Sequence, residues 1–151
     1  MSFSTVASAS VLAVMGLLAA AGSAAADPYP VLVQAVNAAR LGSCGALAPD
    51  SRAEHLAEIV NRSTVDYVAH TAQNVPADGP HPTEIAKDLG IPNSKVLSLQ
   101  GASQVESDAI HGLLVQGFNA IPDCSYSHLG TSVLRDQETG YTFMVVVLVG
   151  A

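Results

Sequence analysis

The sequence predicts one α+β domain, a three-layer α-β-α sandwich in which helices flank a small antiparallel sheet. Three observations carry this. Several stretches repeat apolar residues at helical spacing, the C-terminal part holds two β-favouring runs around a glycine-containing turn, and the second of those runs is apolar on both faces. A strand with no polar face is satisfied only in the middle of a sheet that is covered on both sides, so helices are expected above and below it.

Ahead of the domain, residues 1 to 26 carry no charged side chain, and a greasy stretch from Val11 to Ala21 is followed by small residues ending in Ser23-Ala24-Ala25-Ala26. This is the form of a secretory signal cut after Ala26, although its first ten residues contain no Lys or Arg. The chain is therefore expected to be secreted or held in the cell envelope, with residues 27 to 151 as a single domain. The competing reading keeps Val6 to Ala26 as an uncleaved anchor, since the run approaches the roughly 20 apolar residues a bilayer requires. Its many Ala, Gly and Ser residues gain little from hydrocarbon, and no basic cluster follows. After cleavage no membrane span remains.

Removing 26 of the 151 residues leaves 125, enough for one ordinary core and too few for two. All 13 acidic and all 6 basic residues lie in this part, so it keeps the formal charge of −7. An acidic chain with no run of Lys or Arg argues against nucleic acid, whose binding depends on cationic side chains neutralising phosphates. Two cysteines, Cys44 and Cys124, in an oxidising compartment predict one intramolecular disulfide. Closing a loop of about 80 residues restricts the unfolded chain by roughly 4 to 5 kcal/mol in the entropy model.

Pro30 stands where a first helical turn tolerates proline, and Val31, Leu32, Ala35, Val36 and Ala39 form an apolar stripe that ends near Arg40, with Gly42 as the stop. Ser51-Arg52-Ala53-Glu54 has the capping-box form, and Leu56, Ile59, Val60, Ser63, Tyr67 and His70 recur at helical spacing, predicting a long helix to about Gln73. Residues 74 to 82 hold three prolines and a glycine and read as a loop. Pro82 to Leu89 reads as a short helix stopped by Gly90, and Val96 to Gln100 as a brief strand. Ser103-Gln104-Val105-Glu106 repeats the capping-box form ahead of a further helix through Ala109, Ile110, Leu113 and Leu114 to Gly117. Leu129 to Arg135 and Tyr141 to Val149 then read as a hairpin.

His70, placed by this periodicity on the apolar side of the long helix, is the leading candidate for a site residue, because imidazole ligates metals and moves protons near neutral pH. His111 with Glu106 and Asp108 has no zinc-ligand spacing, and no Gly-x-Ser-x-Gly elbow accompanies the many serines. Ser103 reads as a helix cap.

The chain resembles the secreted CAP domains, the SCP-like or cysteine-rich secretory proteins, and among them the small divergent members exported by mycobacteria and relatives. The resemblance runs over residues 31 to 151. It rests on Val36-Asn37-Ala38-Ala39-Arg40 before a Cys, Asp66-Tyr67-Val68-Ala69-His70-Thr71, Asp108-Ala109-Ile110, and Ser127-His128-Leu129-Gly130 leading into the paired final strands. It implies a cleft lined by two histidines and acidic residues that hold a divalent metal in some members. His70 matches the first histidine. Phe118 stands where the second would fall and Leu99 where a glutamate would, so the resemblance implies a degenerate cleft around His70, Leu99 and Phe118 with no metal, no cofactor and no catalytic residue. The expected role is non-enzymatic: a cleft packed shut, with a structural role or an extracellular protein as partner, or one open to a small lipid or sterol. The alternatives are a hydrolase, or a metal or haem carrier, using His70.

Overall fold

The computed structural model describes residues 29 to 73, 81 to 91 and 95 to 151. The signal segment and residues 74 to 80 of the proline-rich loop lie outside the described residues. Pro30 opens α1 (Pro30–Arg40), whose Leu32 and Val36 are fully buried while Val31 is exposed. A two-residue strand, β1 (Ala48–Pro49), leads directly into α2 (Ser51–Val68). There follow α3 (Thr83–Asp88), β2 (Val96–Ser103), α4 (Glu106–Gln116), β3 (Tyr126–Arg135) and β4 (Thr142–Gly150). The α+β class is as the sequence predicts.

The sheet runs in the order β1-β3-β4-β2. It is mixed and not purely antiparallel, because β1 pairs parallel with β3 through Ala48 and Pro49. No propensity announces a two-residue strand; it forms because the chain passes this edge on its way into α2, with the Asp50 amide donating to the Leu129 carbonyl. The doubly apolar run is β4, which lies between β3 and β2. Its Met144, Val146 and Leu148 join Leu32 and Val36 of α1, Leu99 of β2 and Leu113 of α4 in one buried cluster. Its Val145 and Val147 join Ala53, Leu56, Ala57 and Val60 of α2 and Ala86 of α3 in the other.

Two glycines set how closely the helices approach the strands. A Cβ on Gly130 would stand 2.0 Å from the Ala53 carbonyl carbon of α2, and one on Gly101 would stand 2.0 Å from the Ala109 carbonyl oxygen of α4. With Ala53 and Ala57 fully buried in α2, this allows helix and strand backbones to lie almost in contact.

The helix ends depart from the sequence reading. Asp50, and not Ser51, caps α2; its Oδ1 accepts from the amides of Arg52 at 2.8 Å and Ala53 at 3.2 Å. Ser103 does not cap α4, whose N-cap is Val105 with no side-chain bond; the Ser103 hydroxyl accepts from the Val105 amide instead. α2 stops at Val68, short of Gln73. Its end is a Schellman turn, with the Thr71 amide on the Asp66 carbonyl and the His70 amide on the Tyr67 carbonyl. His70 fills the left-handed position of that turn at φ 57°. It is exposed and not on the apolar side of a helix. That position ordinarily favours glycine, so the sequence carried no stop signal here.

Candidate functional site

The most ligand-like surface is built on α4 and the turn that follows it. Glu106 and Asp108 in the first turn of α4 suit the positive end of its dipole. Ala109 and Leu113 point into the core, which turns Val115 outward at 61% exposure. After Gly117 the chain makes a tight turn in which the Ile121 amide donates to the Gly117 carbonyl, and Phe118 stands at the apex at 77% exposure. Between this turn, α4 and the end of α1 lies a groove of about 500 Å³ walled by Ala39, Leu114, Val115, Phe118, Ile121 and Pro122. His111 and Asn119 are its polar members.

The floor of the groove is fixed by a buried cation. Arg40, 3% exposed at the last turn of α1, donates through Nε to the Gly45 carbonyl at 2.7 Å and through NH1 to the Ile121 and Asp123 carbonyls at 2.6 and 3.1 Å. NH2 donates to the Tyr126 carbonyl at 2.6 Å. The Cys44–Cys124 disulfide joins the same two segments, as the cysteine count predicts. Outside it, Lys95 is bonded to Asp123 and to the Ser125 hydroxyl and lies 4.5 Å over the Tyr126 ring. The Lys95 ammonium bonded to Asp123 holds that carboxyl well below the usual carboxylate range, and Asp123 in turn raises Lys95.

The three residues assigned to a common cleft do not share one. Leu99 is 1% exposed in the core beneath α4. Phe118 belongs to the groove above. His70 follows α2, which packs against the opposite face of the sheet. The other histidines are also apart: His81 Nδ1 lies 3.3 Å from the Val96 carbonyl oxygen, His128 Nδ1 lies 2.9 Å from the Ser127 hydroxyl and His55 pairs with Glu58. Glu106, grouped with His111 by sequence, accepts instead from the Tyr29 hydroxyl at 2.8 Å and raises that phenol. Among the described residues no group of three or more His, Cys, Asp or Glu is placed to hold a metal ion.

Sequence reasoning reached Phe118 by resemblance and missed Ala39, Arg40, Ile121 and Pro122 as parts of one structure. A usable signal existed, because Arg40 is a cation inside an apolar stripe and four residues before a cysteine. A second groove, of about 480 Å³ on the outer face of α2, is bordered by His55 and by the charged side chains of Glu58, Arg62 and Asp66, a solvated face with, among the described residues, no unpaired donor or acceptor buried at its base.

Fold and site together define an α+β domain with an apolar groove held by a disulfide and a buried arginine. No family model, no curated protein and no solved structure matches the chain. Among the described residues no helix is long and apolar enough to cross a membrane.

Proposed function

We propose that this is an exported, non-enzymatic binding domain that takes a small apolar ligand, of the lipid or sterol kind, in the α4 groove. The observation that carries the reading is Phe118. A phenyl ring at 77% exposure, next to Val115 at 61%, leaves apolar surface in water that a folded chain ordinarily hides. Here it borders a recess of the size small-molecule sites have, roughly 300 to 1,000 Å³. Burying a ring of this kind against a ligand is worth about 1.5 to 3 kcal/mol, which corresponds to roughly ten- to a hundredfold in affinity. The reading agrees with the lipid-binding members that the CAP resemblance implies, but moves the ligand from the expected cleft to the α1 and α4 side.

The test is titration of the purified chain with a fluorescent fatty acid and a fluorescent sterol. Saturable binding that Phe118→Asp weakens at least about tenfold, with unchanged circular dichroism, supports it. Absence of saturable binding by either probe refutes it. A variant at His70 leaves binding intact on this reading.

A further inference from the structure

The two edges of this sheet are treated differently. In β3 the Leu129 carbonyl accepts from Asp50, on the β1 side, and the Asp136 amide just beyond the strand donates across the hairpin to Tyr141. With the two-residue alternation of a strand, residues 130, 132 and 134 turn their backbone groups toward β4, and Thr131, Val133 and Arg135 turn theirs outward. β1 covers this edge only at His128 and Leu129, because at Asp50 the chain leaves the sheet for α2. In β2, by contrast, the outward Gln100 amide donates to the Gln116 side chain of α4, and His81 lies against the outward Val96 carbonyl. One edge is blunted by side chains, the device proteins use against pairing; among the described residues, nothing bonds to the outward backbone of the other from Thr131 onward.

We infer that the open β3 edge pairs with the β3 edge of a second copy of this chain, antiparallel, about a two-fold axis at Val133. The charges beside the edge fit that symmetry. A groove of about 270 Å³ runs along residues 131 to 134 and is lined by Glu58 and Arg62 of α2 and by Tyr29, whose amide donates to the Thr131 hydroxyl at 3.1 Å and leaves the strand's outward backbone groups unbonded. Arg62 makes no ion pair among the described residues, and Glu58 has only His55 at 3.5 Å. Asn61 Nδ2 donates to the Ser132 hydroxyl at 3.1 Å, which seats this turn of α2 above the same point of the strand. An axis that lays Val133 on its own copy therefore also faces the two α2 turns with each other. On that axis Glu58 of one protomer is set toward Arg62 of its partner, and Arg62 toward Glu58, as a two-fold interface requires.

Sedimentation equilibrium of the purified chain from micromolar to millimolar concentration tests this. A monomer and dimer in equilibrium are expected. Glu58→Arg alone, or Arg62→Glu alone, raises the dissociation constant at least about tenfold at low salt by setting like charges across the axis, and the double reversal returns it to within about threefold. Val133→Pro removes the outward amide together with a side chain packed against the first core cluster, and gives a monomer where the fold survives; if that variant unfolds, the charge reversals still decide. A chain that stays monomeric at every concentration overturns the inference. So does an assembly larger than a dimer, a dimer that neither reversal weakens, or a double reversal that fails to restore.

Discussion

Replacing Gly130 with Ala tests whether the sheet and α2 are packed backbone to backbone. The added Cβ would stand 2.0 Å from the Ala53 carbonyl carbon, 2.1 Å from the Glu54 amide nitrogen and 2.3 Å from the Ala53 carbonyl oxygen, whereas ordinary contact begins at 3.4 Å. None of these atoms is the tip of a flexible side chain, so relief requires α2 and β3 to separate by more than about 1 Å. A gap of that size forfeits about half of the dispersion contacts of Leu56, Ala57 and Val60 beneath the helix. Overpacking of this kind costs about 1 to 3 kcal/mol where side chains can yield, and about 3 to 4 kcal/mol is expected where the backbone must. That is a large part of the 5 to 15 kcal/mol typical of a domain, and corresponds to a fall in Tm of about 10 °C. Urea unfolding followed by circular dichroism, with the disulfide intact, measures it. Gly112→Ala is the control of opposite sign, since a Cβ there meets nothing within 4 Å and lies inside α4, where Ala is better than Gly by about 0.5 to 1 kcal/mol. A Gly130→Ala variant within about 1 kcal/mol of the parent, or a Gly112→Ala variant equally damaged, refutes the reasoning.

Asp50 gives a pH dependence. Partial burial pushes its carboxyl up, but the Arg52 side chain and the Ala53 and Arg52 amides outweigh this and leave it below the usual value of 3.8. A depressed carboxyl contributes stability that is complete above the unfolded-state value and is lost as pH falls through the folded one. Acid titration of stability should therefore show a step below about pH 4 that Asp50→Asn abolishes, and Asp50→Ala should cost about 1 kcal/mol at neutral pH. His70→Gly relieves a left-handed residue and should raise stability by up to about 1 kcal/mol in the same unfolding assay, with probe binding unchanged. Reducing Cys44–Cys124 should lower stability by roughly 4 kcal/mol, yet ligand titration should still detect the groove, because Arg40 continues to hold the Ile121 and Asp123 carbonyls. Arg40→Met should abolish that binding even in the oxidised protein.

The elements that were legible in the sequence are those whose signal is local and long. The stripe of α1, the hairpin and the central position of β4 follow from apolar periodicity over many residues. What failed was short-range or tertiary. Ser51 and Ser103 satisfy the capping-box pattern, but Asp50 captures the first amides of α2, and Ser103 closes its own turn onto Val105. β2 extends to Ser103, beyond the expected Gln100; the sequence hid this because Gly101 and Ala102 look nothing like strand residues, and the smallness of Gly101 is what α4 requires. The buried face of α2 is Ala53, Leu56, Ala57, Val60 and Asn61, which leaves Tyr67 of the expected stripe in solvent. Extending that stripe past Val68 placed His70 on an apolar face it does not reach. Asn61 explains the shift, since its Nδ2 donates to the Ser132 hydroxyl and the Phe143 carbonyl, partners that no single segment reveals. The groove was out of reach for the same reason: it joins α1 to residues 121 and 122.

The guanidinium of Arg40 has a consequence for when this chain acquires its shape. Its acceptors at Ile121, Asp123 and Tyr126 belong to the last quarter of the polypeptide, as do the cysteine partner of Cys44 and the strand that receives Ala48 and Pro49. A chain emerging from its N-terminus first holds the Arg40 end of α1 without its acceptors until these late residues arrive. Closure of this part of the core is thereby deferred until the segment from Ile121 to Tyr126 is available.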